Sequence, residues 1–434
     1  MSTQERPNKK NPFSRLLNIL GPGLITGAAD DDPSGIATYS QTGAQFGYGQ
    51  LWIAVFTLPL MTAIQEACAR IGLVTGKGIV AVVKERYGTK MTLGVVLLVL
   101  VANTINIGAD IGAMAAAAQL VVPISFVVAT LCFTAFILIL EIFTSYQVYA
   151  RILKWLALSL LSYLITAFIV HEPWPTLLRA TFVPHIEFNF AFLFIITGVI
   201  GTTISPYMFF WEASEEVEDA RERQLLRDGG RPKLNWPDIR RMRLDNFIGM
   251  LSSNVVTWCI IVTTATVLNS NGVTNIATSA DAAKAIEPLV HTFPNAGYVA
   301  KVIFSVGVIG LGLLAVPVLS GSASYAVAEA LNWRASLAYK LNRAHGFYGV
   351  ITIATLIGLL INFVGIDPIK ALIVTAVING VVAVPLIFLI TRIANDSEIM
   401  GEYKSGWLSN IFLWLTFLFM GAAAVGMFAT YFTK

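Results

Sequence analysis

The sequence is poor in charge: 29 Lys plus Arg and 26 Asp plus Glu make up 13% of 434 residues, against 56% hydrophobic residues and a mean hydropathy of +0.70. So little polar surface cannot clothe a soluble globule, which leaves an integral membrane protein. Cysteine is scarce too. Cys68, Cys132 and Cys259 each sit in an apolar segment, at no pairable or metal-ligand spacing, so buried thiols are expected and a disulfide framework or thiolate metal site is excluded. The four histidines, His171, His185, His291 and His345, fall in connections, and no nucleophile and base stand together, which argues against an intramembrane enzyme. No nucleic-acid motif accompanies the net charge of +3. The apolar run that follows the basic first fifteen residues lacks a small-residue cleavage site, so it reads as a span and not as a removable signal.

What the chain has in abundance is long apolar runs. A helix needs about 20 apolar residues to cross roughly 30 Å of hydrocarbon. Runs of that kind occupy about 15–46, 49–74, 93–118, 122–145, 149–171, 189–215, 244–268, 298–327, 347–364, 368–391 and 407–432. All but six of the 29 basic residues lie in the N-terminal tail (1–14), with Arg15 at its edge, and in or at the edges of the even-numbered connections; the exceptions are Arg70, Arg179, Lys284, Lys301, Lys370 and Lys434. Since Lys and Arg accumulate in short cytoplasmic loops, the tail is expected inside and the C-terminus outside. An odd number of spans requires the same result. The one sizeable polar segment, from Ser214 to Arg243, is expected to be a solvated helix that stops at Gly229-Gly230-Arg231-Pro232.

One apolar run contains an anomaly, "AADDDPSGIATYS" from Ala28 to Ser40. A carboxylate at membrane depth costs about 2.5–3.5 kcal/mol on insertion scales and persists mainly where it faces a cavity or partner. Pro33 removes a backbone donor and Gly35 loosens the chain, so the helix should break there. Freed carbonyls at the end of the first half-helix carry negative partial charge, and Asp30, Asp31 and Asp32 add full charge. That combination suits a cation. Consecutive helix residues point about 100° apart, so the three acids cannot all face one cavity; Asp32, beside the break, is the expected ligand, with Asp31 as an additional residue of the path.

Discontinuous helices at the bilayer midplane come in pairs when a transporter is built from inverted repeats. A second Pro-centred interruption is present in the sixth run, "FLFIITGVIGTTISPYMFFWEASEEVED", where Gly201, Thr202, Thr203, Ser205 and Pro206 break the pattern five spans after the first. The expected architecture is therefore an all-α membrane protein: one transmembrane domain over 15–434, with inverted five-helix repeats at about 15–171 and 189–391 and an eleventh helix at about 407–432.

At these residues the chain resembles the Nramp divalent-metal transporters, which have a LeuT-type fold. The stretches "GPGLITGAADDDPSGIATYSQTGAQFGYGQLW" and "ARIGLVTGKGIVAVVKERYG" carry the likeness. The family's Asp-Pro-Gly-Asn falls on Asp32, Pro33, Ser34 and Gly35, and its Met-Pro-His on Ser205, Pro206 and Tyr207. By that resemblance a backbone carbonyl near Ala29 and another near Thr202 would join Asp32, Gly35 and Ser205 around the ion. Ser34 and Tyr207 would stand behind them, with Pro33, Gly201 and Pro206 as hinges. The departures carry the specific reading. Where the family has methionine there is Ser205, and hydroxyl, carbonyl and carboxylate oxygen suit Mg²⁺ and Mn²⁺, whereas thioether favours softer metals. The family's tenth-span glutamine falls on Ala376, with Asn379 one turn on. Its third-span acids, assigned to proton movement, fall on Asn106 and Ala109; Asp110, one position along, is expected to point elsewhere, and Glu212 either lines an inner vestibule or is plainly solvated.

The resemblance implies import of divalent cations by alternating access, most like the magnesium-transporting branch and without proton coupling, in a bacterial inner membrane. The lipid bilayer and the transported metal are the only partners expected, with no cofactor, nucleic acid or protein partner. Proton-coupled Mn²⁺ or Fe²⁺ uptake is the alternative. An amino-acid carrier of the same fold is a third, disfavoured because Asp30 to Asp32 would repel a carboxylate substrate.

Overall fold

The computed structural model describes residues 22–144, 161–169, 174–226, 232–337 and 339–432. The N-terminal tail, the start of the first span, most of the fifth, His171, the Gly229-Gly230-Arg231 stop and Lys434 lie outside the described residues. The described residues are helical, with no strand. The principal helices are α1 (Pro22–Asp30), α2 (Pro33–Phe46), α3 (Trp52–Thr75), α4 (Ile79–Gln119), α5 (Phe126–Phe143), α6 (Leu161–Ile169), α7 (Trp174–Phe182), α8 (Phe190–Thr203), α9 (Pro206–Glu222), α10 (Trp236–Val267), α11 (Ala296–Leu331), α12 (His345–Ile361), α13 (Pro368–Asn395) and α14 (Trp407–Phe432).

Eight of the segments are continuous enough and apolar enough to span a bilayer, counting α8 and α9 as one. The broken α1–α2 pair, the shorter α12 and the described part of the fifth span, α6, account for the other expected crossings. Helix α4 shows how such a chain is arranged in lipid. Leu93, Leu97 and Val101, spaced by four, are exposed, whereas Asn106 and Asp110, also spaced by four, are buried. The apolar face looks outward because the surrounding solvent is hydrocarbon, and the polar face must find partners inside.

The two halves of the chain pack by exchanging equivalent partners. Half-helix α2 of the first span lies along α10, the seventh; half-helix α9 of the sixth lies along α3, the second. The third and eighth spans, α4 and α11, form the most extensive contact with each other. Each pattern maps onto itself when shifted by five spans, as the inverted repeats of a LeuT-type fold require. The two equivalent crossings are also made the same way. A Cβ at Gly43 would stand 2.4 Å from the Ile261 carbonyl oxygen, and one at Gly72 would stand 2.1 Å from that of Ala213, so both crossings need glycine for backbone-to-backbone approach.

The basic connections gather at one end. Arg70 donates to Glu66, to the Tyr403 carbonyl at 2.5 Å and to Ser405 at 2.9 Å; Arg243 Nε reaches Glu66 at 2.8 Å; Arg86 pairs with Asp396 at 2.9 Å and Glu398 at 2.7 Å; Lys84 reaches the Ala330 carbonyl. At the other end, Ile276 N donates to Gln41, Trp52 to the His185 carbonyl and Asn269 to the Ala44 carbonyl.

Two expectations are corrected here. The segment from Ser214 is not a solvated helix running to Gly229: α9 ends at Glu222, and Ser214, Glu216, Val217 and Ala220 are buried against the bundle. From Trp236 the chain already belongs to α10, opened by an Asn235–Asp238 capping box with Pro237 inside the first turn. The charges misled because the end of a membrane helix can bury acids on one side while wetting the other. Cys132 is exposed on α5 and not buried, unlike Cys68 and Cys259. A thiol is apolar enough to face lipid.

Candidate cation site at the paired helix breaks

Both broken spans resume on the same local device, a capping residue followed by proline. Asp32 is the N-cap of α2, with φ −71° and ψ 170°, and Pro33 occupies the first turn. Ser205 is the N-cap of α9, with φ −78° and ψ 134°, followed by Pro206. Proline has no N–H to leave unsatisfied in a first turn and cannot continue the preceding helix, so the breaks are written locally. Gly201 does not lie at the break. It sits inside α8, where a Cβ would stand 2.2 Å from the Ala376 carbonyl and 2.3 Å from Gly380 N, so its role in this conformation is close packing against α13.

The two breaks are stitched across to each other. Tyr207 Oη donates to the Ala29 carbonyl at 3.1 Å, Ser34 Oγ lies 3.3 Å from Thr202 Oγ1, and Tyr39 Oη lies 3.0 Å from Thr203 Oγ1. Asp32 is at the centre. Its Oδ1 accepts from Gly35 N at 2.7 Å, Ser34 Oγ at 2.8 Å and Thr202 Oγ1 at 3.4 Å, while its Oδ2 accepts from Asn106 Nδ2 at 3.1 Å. Gly35 thus acts through its backbone N–H. Ser205 Oγ turns back onto the Thr202 carbonyl at 2.6 Å and that of Gly201 at 3.0 Å, capping the end of α8.

The third and tenth spans close the site. Asn106 Nδ2 donates to Asp110 Oδ2 at 3.1 Å as well as to Asp32, and Asn106 Oδ1 accepts from Asn379 Nδ2 at 3.2 Å. The amide has two N–H bonds, and each serves one carboxylate. Asp110 was expected to point away and does not. The reason is helical spacing: measured from Ala109 it is turned by 100°, but it lies four residues beyond Asn106 and so shares that residue's face. Glu212 is neither solvated nor at a vestibule. It is buried, accepting from Thr26 Oγ1 and, at 3.4 Å, from Asn246 Nδ2, so it ties α1 to α9 and α10. A cavity of about 390 Å³ at the end where the basic connections gather is lined instead by Ser214, Glu218, Tyr325 and Glu329.

All of these groups are sealed from solvent; Asp32, Asn106, Asp110, Thr202, Ser205, Tyr207 and Asn379 are at most 1% exposed. No lysine, arginine or histidine among the described residues pairs with Asp30, Asp31, Asp32 or Asp110. Asp30 Oδ1, Asp110 Oδ1 and Asn379 Oδ1 are buried with no hydrogen-bond donor. Buried acceptors without donors are costly unless a cation joins them. Every available donor atom is oxygen. Sequence reasoning missed Ser253, whose hydroxyl reaches Asp30 and Asp31, although the polar run Ser252-Ser253-Asn254 inside an apolar span was a usable signal.

Two Pro-initiated half-helices meeting at a buried carboxylate, inside inverted five-helix repeats, define a secondary carrier of the LeuT type. Among solved structures, a manganese transporter of Eremococcus coleocola superposes with a TM-score of 0.76 at 16% identity, covering 99% of this chain and 91% of that one. Mhp1, a nucleobase-cation-symport-1 family transporter, superposes at 0.60 and 13% identity, covering 95% and 90%. The family model for natural resistance-associated macrophage protein-like (Nramp) proteins matches residues 23–430, and the chain belongs to that family. Among its relatives are the divalent metal cation transporters MntH of Ralstonia nicotianae, 24% identical over 432 residues (95% of this chain, 90% of the relative), and of Bacillus subtilis, 23% identical over 415 (93% and 90%).

Proposed function

We propose that this protein is a secondary transporter that imports divalent cations by alternating access, with an oxygen-only site that favours Mg²⁺ and Mn²⁺, as in the magnesium-transporting branch of the family. The observation that carries this reading is the buried carboxylate of Asp32 between the two helix breaks, which no described basic residue pairs, with Ser205 where a sulfur ligand would select softer metals. Asp32 supplies charge; the carbonyls of Ala29 and Thr202 become ligands once Tyr207 and Ser205 release them; Ser205 offers a hydroxyl or holds a water. Asn106 and Asn379 orient Asp32 from behind. Mg²⁺ dehydrates reluctantly, and small residues at Gly35, Ser205 and Ala376 leave room for its water.

Opening to the inside requires α1 to leave α10 and α9, which breaks Gly23 N to Asp245 at 2.8 Å and Thr26 to Glu212. The whole of 15–434 acts as one transmembrane unit, repeat against repeat, in a bacterial plasma membrane with the basic end cytoplasmic and the C-terminus outside. Membrane potential is sufficient drive: two charges through 100 mV are worth about 4.6 kcal/mol at roughly 2.3 per charge. Uptake into proteoliposomes, with Mg²⁺, Mn²⁺, Ca²⁺ and Cd²⁺ compared side by side at fixed voltage, tests it. Mg²⁺ and Mn²⁺ are expected to enter without moving protons, and exclusion of both ions would overturn the reading.

A second reading, proton-coupled Mn²⁺ or Fe²⁺ symport, is favoured by one observation: Asp110 is linked to Asp32 through Asn106. Interior acidification that needs both metal and protein, and that disappears in Asp110→Asn, would decide for it.

A further inference from the structure

We infer that Asp30, Asp31 and Ser253 form a second divalent-cation site, on the α10 side of the first break and separate from the one at Asp32. The inference rests on the divalent-cation reading above and adds a second station to the path.

The three consecutive acids divide between two faces. Asp32 turns towards α4 and α8, where four donors engage it. Asp30 and Asp31, at the carbonyl end of α1, turn towards α10, where Ser253 Oγ lies 2.6 Å from Asp30 Oδ2 and 3.2 Å from Asp31 Oδ1. One hydroxyl has one proton, so it satisfies one of these contacts and leaves the other oxygen pair facing it without a donor. Asp30 Oδ1 is buried with no partner at all. Among the described residues, two carboxylates, 0% and 3% exposed, therefore share a single donor and no basic residue.

A further buried group lies on this face of α10. Thr257 Oγ1, one turn beyond Ser253, is 1% exposed and makes no hydrogen bond. Tyr39 of α2 has its hydroxyl 3.0 Å from Thr203 Oγ1, on the side of the first break that the sixth span faces. The donor set is two carboxylates and the Ser253 hydroxyl, with the unpartnered Thr257 hydroxyl one turn further along α10 and the negative end of α1 behind them. An all-oxygen set with two formal negative charges selects a hard divalent ion. A second ion so near the first repels it, so arrival at one station loosens the hold at the other, as in multi-site conduction.

Mn²⁺ binding to the purified full-length chain in nanodiscs, counted by electron paramagnetic resonance, tests this. Wild type is expected to bind two Mn²⁺, Asp32→Asn one, and the double variant Asp30→Asn/Asp31→Asn one; Ser253→Ala is expected to weaken the second Mn²⁺ at least fivefold while leaving the first unchanged. If the double variant does not fold, Ser253→Ala decides alone. A single Mn²⁺ in wild type, lost in Asp32→Asn and kept unweakened in Ser253→Ala, overturns the second site and leaves the transport reading standing. A single Mn²⁺ in wild type that is lost both in Asp32→Asn and in the double variant also overturns it, since one shared site then explains both. No Mn²⁺ bound to folded wild type overturns the divalent-cation reading itself.

Discussion

Replacing Asp32 by asparagine or by alanine separates its structural duty from its charge. In the alanine variant the N-cap of α2 disappears, at about 1 kcal/mol, and Asn106 loses an acceptor for a buried N–H, at about 1–3 kcal/mol. The sum, about 2–4 kcal/mol, should appear as a lower melting temperature. Asparagine keeps Oδ1 for Gly35 and Ser34, so the cap survives. Its amide nitrogen then faces the Asn106 amide donor, a mismatch of about 1–2 kcal/mol, offset by removal of a buried charge that lies in one network with Asp110. A melting temperature within a few degrees of wild type is therefore expected for Asp32→Asn. Ion binding should respond very differently. At an effective dielectric of about 20, unit charges 4 Å apart attract by about 4 kcal/mol, so a divalent ion gains about 8. Even a third of that is about a hundredfold in affinity, at 1.4 kcal/mol per tenfold. Mn²⁺ uptake into proteoliposomes, read beside thermal stability for both variants, checks this. Uptake by folded Asp32→Asn within threefold of wild type would refute the assignment.

Three other substitutions probe the remaining links. Ser205→Met removes the hydroxyl that turns back onto the Gly201 and Thr202 carbonyls and supplies a soft sulfur; calorimetry should find Cd²⁺ bound at least tenfold more tightly than by wild type, and tight Cd²⁺ binding to wild type would contradict the hard site. Gly201→Ala forces a methyl to within 2.2 Å of the Ala376 carbonyl, so α8 and α13 must part, and a loss of about 1–3 kcal/mol should register in thermal unfolding, with an unchanged midpoint as the contrary result. Arg70→Met withdraws a buried guanidinium from Glu66, Tyr403 and Ser405; because Arg243 still reaches Glu66, the expected loss is about 3 kcal/mol, and the same midpoint for Arg70→Met and wild type would argue that Arg243 alone suffices.

Much of this was legible along the chain because the rules concerned are local. Apolar runs announce spans, since each must cross the hydrocarbon with its own backbone bonds satisfied. Asp32-Pro33 and Ser205-Pro206 announce breaks, since proline cannot continue a helix and suits its first turn. Partnerships across the bundle were less legible. Asp110 was judged against Ala109 alone, and only its i, i+4 relation to Asn106, with Asp32 placed opposite, shows that it belongs to the site. Glu212 was readable as solvated because nothing near it in sequence says that Thr26 and Asn246 will enclose it.

The sequence by itself determined the membrane class, the two breaks, the distribution of basic residues among the connections and the oxygen character of the proposed ligands, all properties of composition and of neighbours within a turn or two. Tertiary structure decided which of three consecutive acids faces which wall. Asp32 looks to Asn106 and Thr202, 74 and 170 residues away, and Asp30 to Ser253, 223 residues away. The physical reason is that a buried carboxylate is placed by the donors that come to it, and those donors arrive on helices whose packing follows from the glycine crossings and the exchange of partners between repeats.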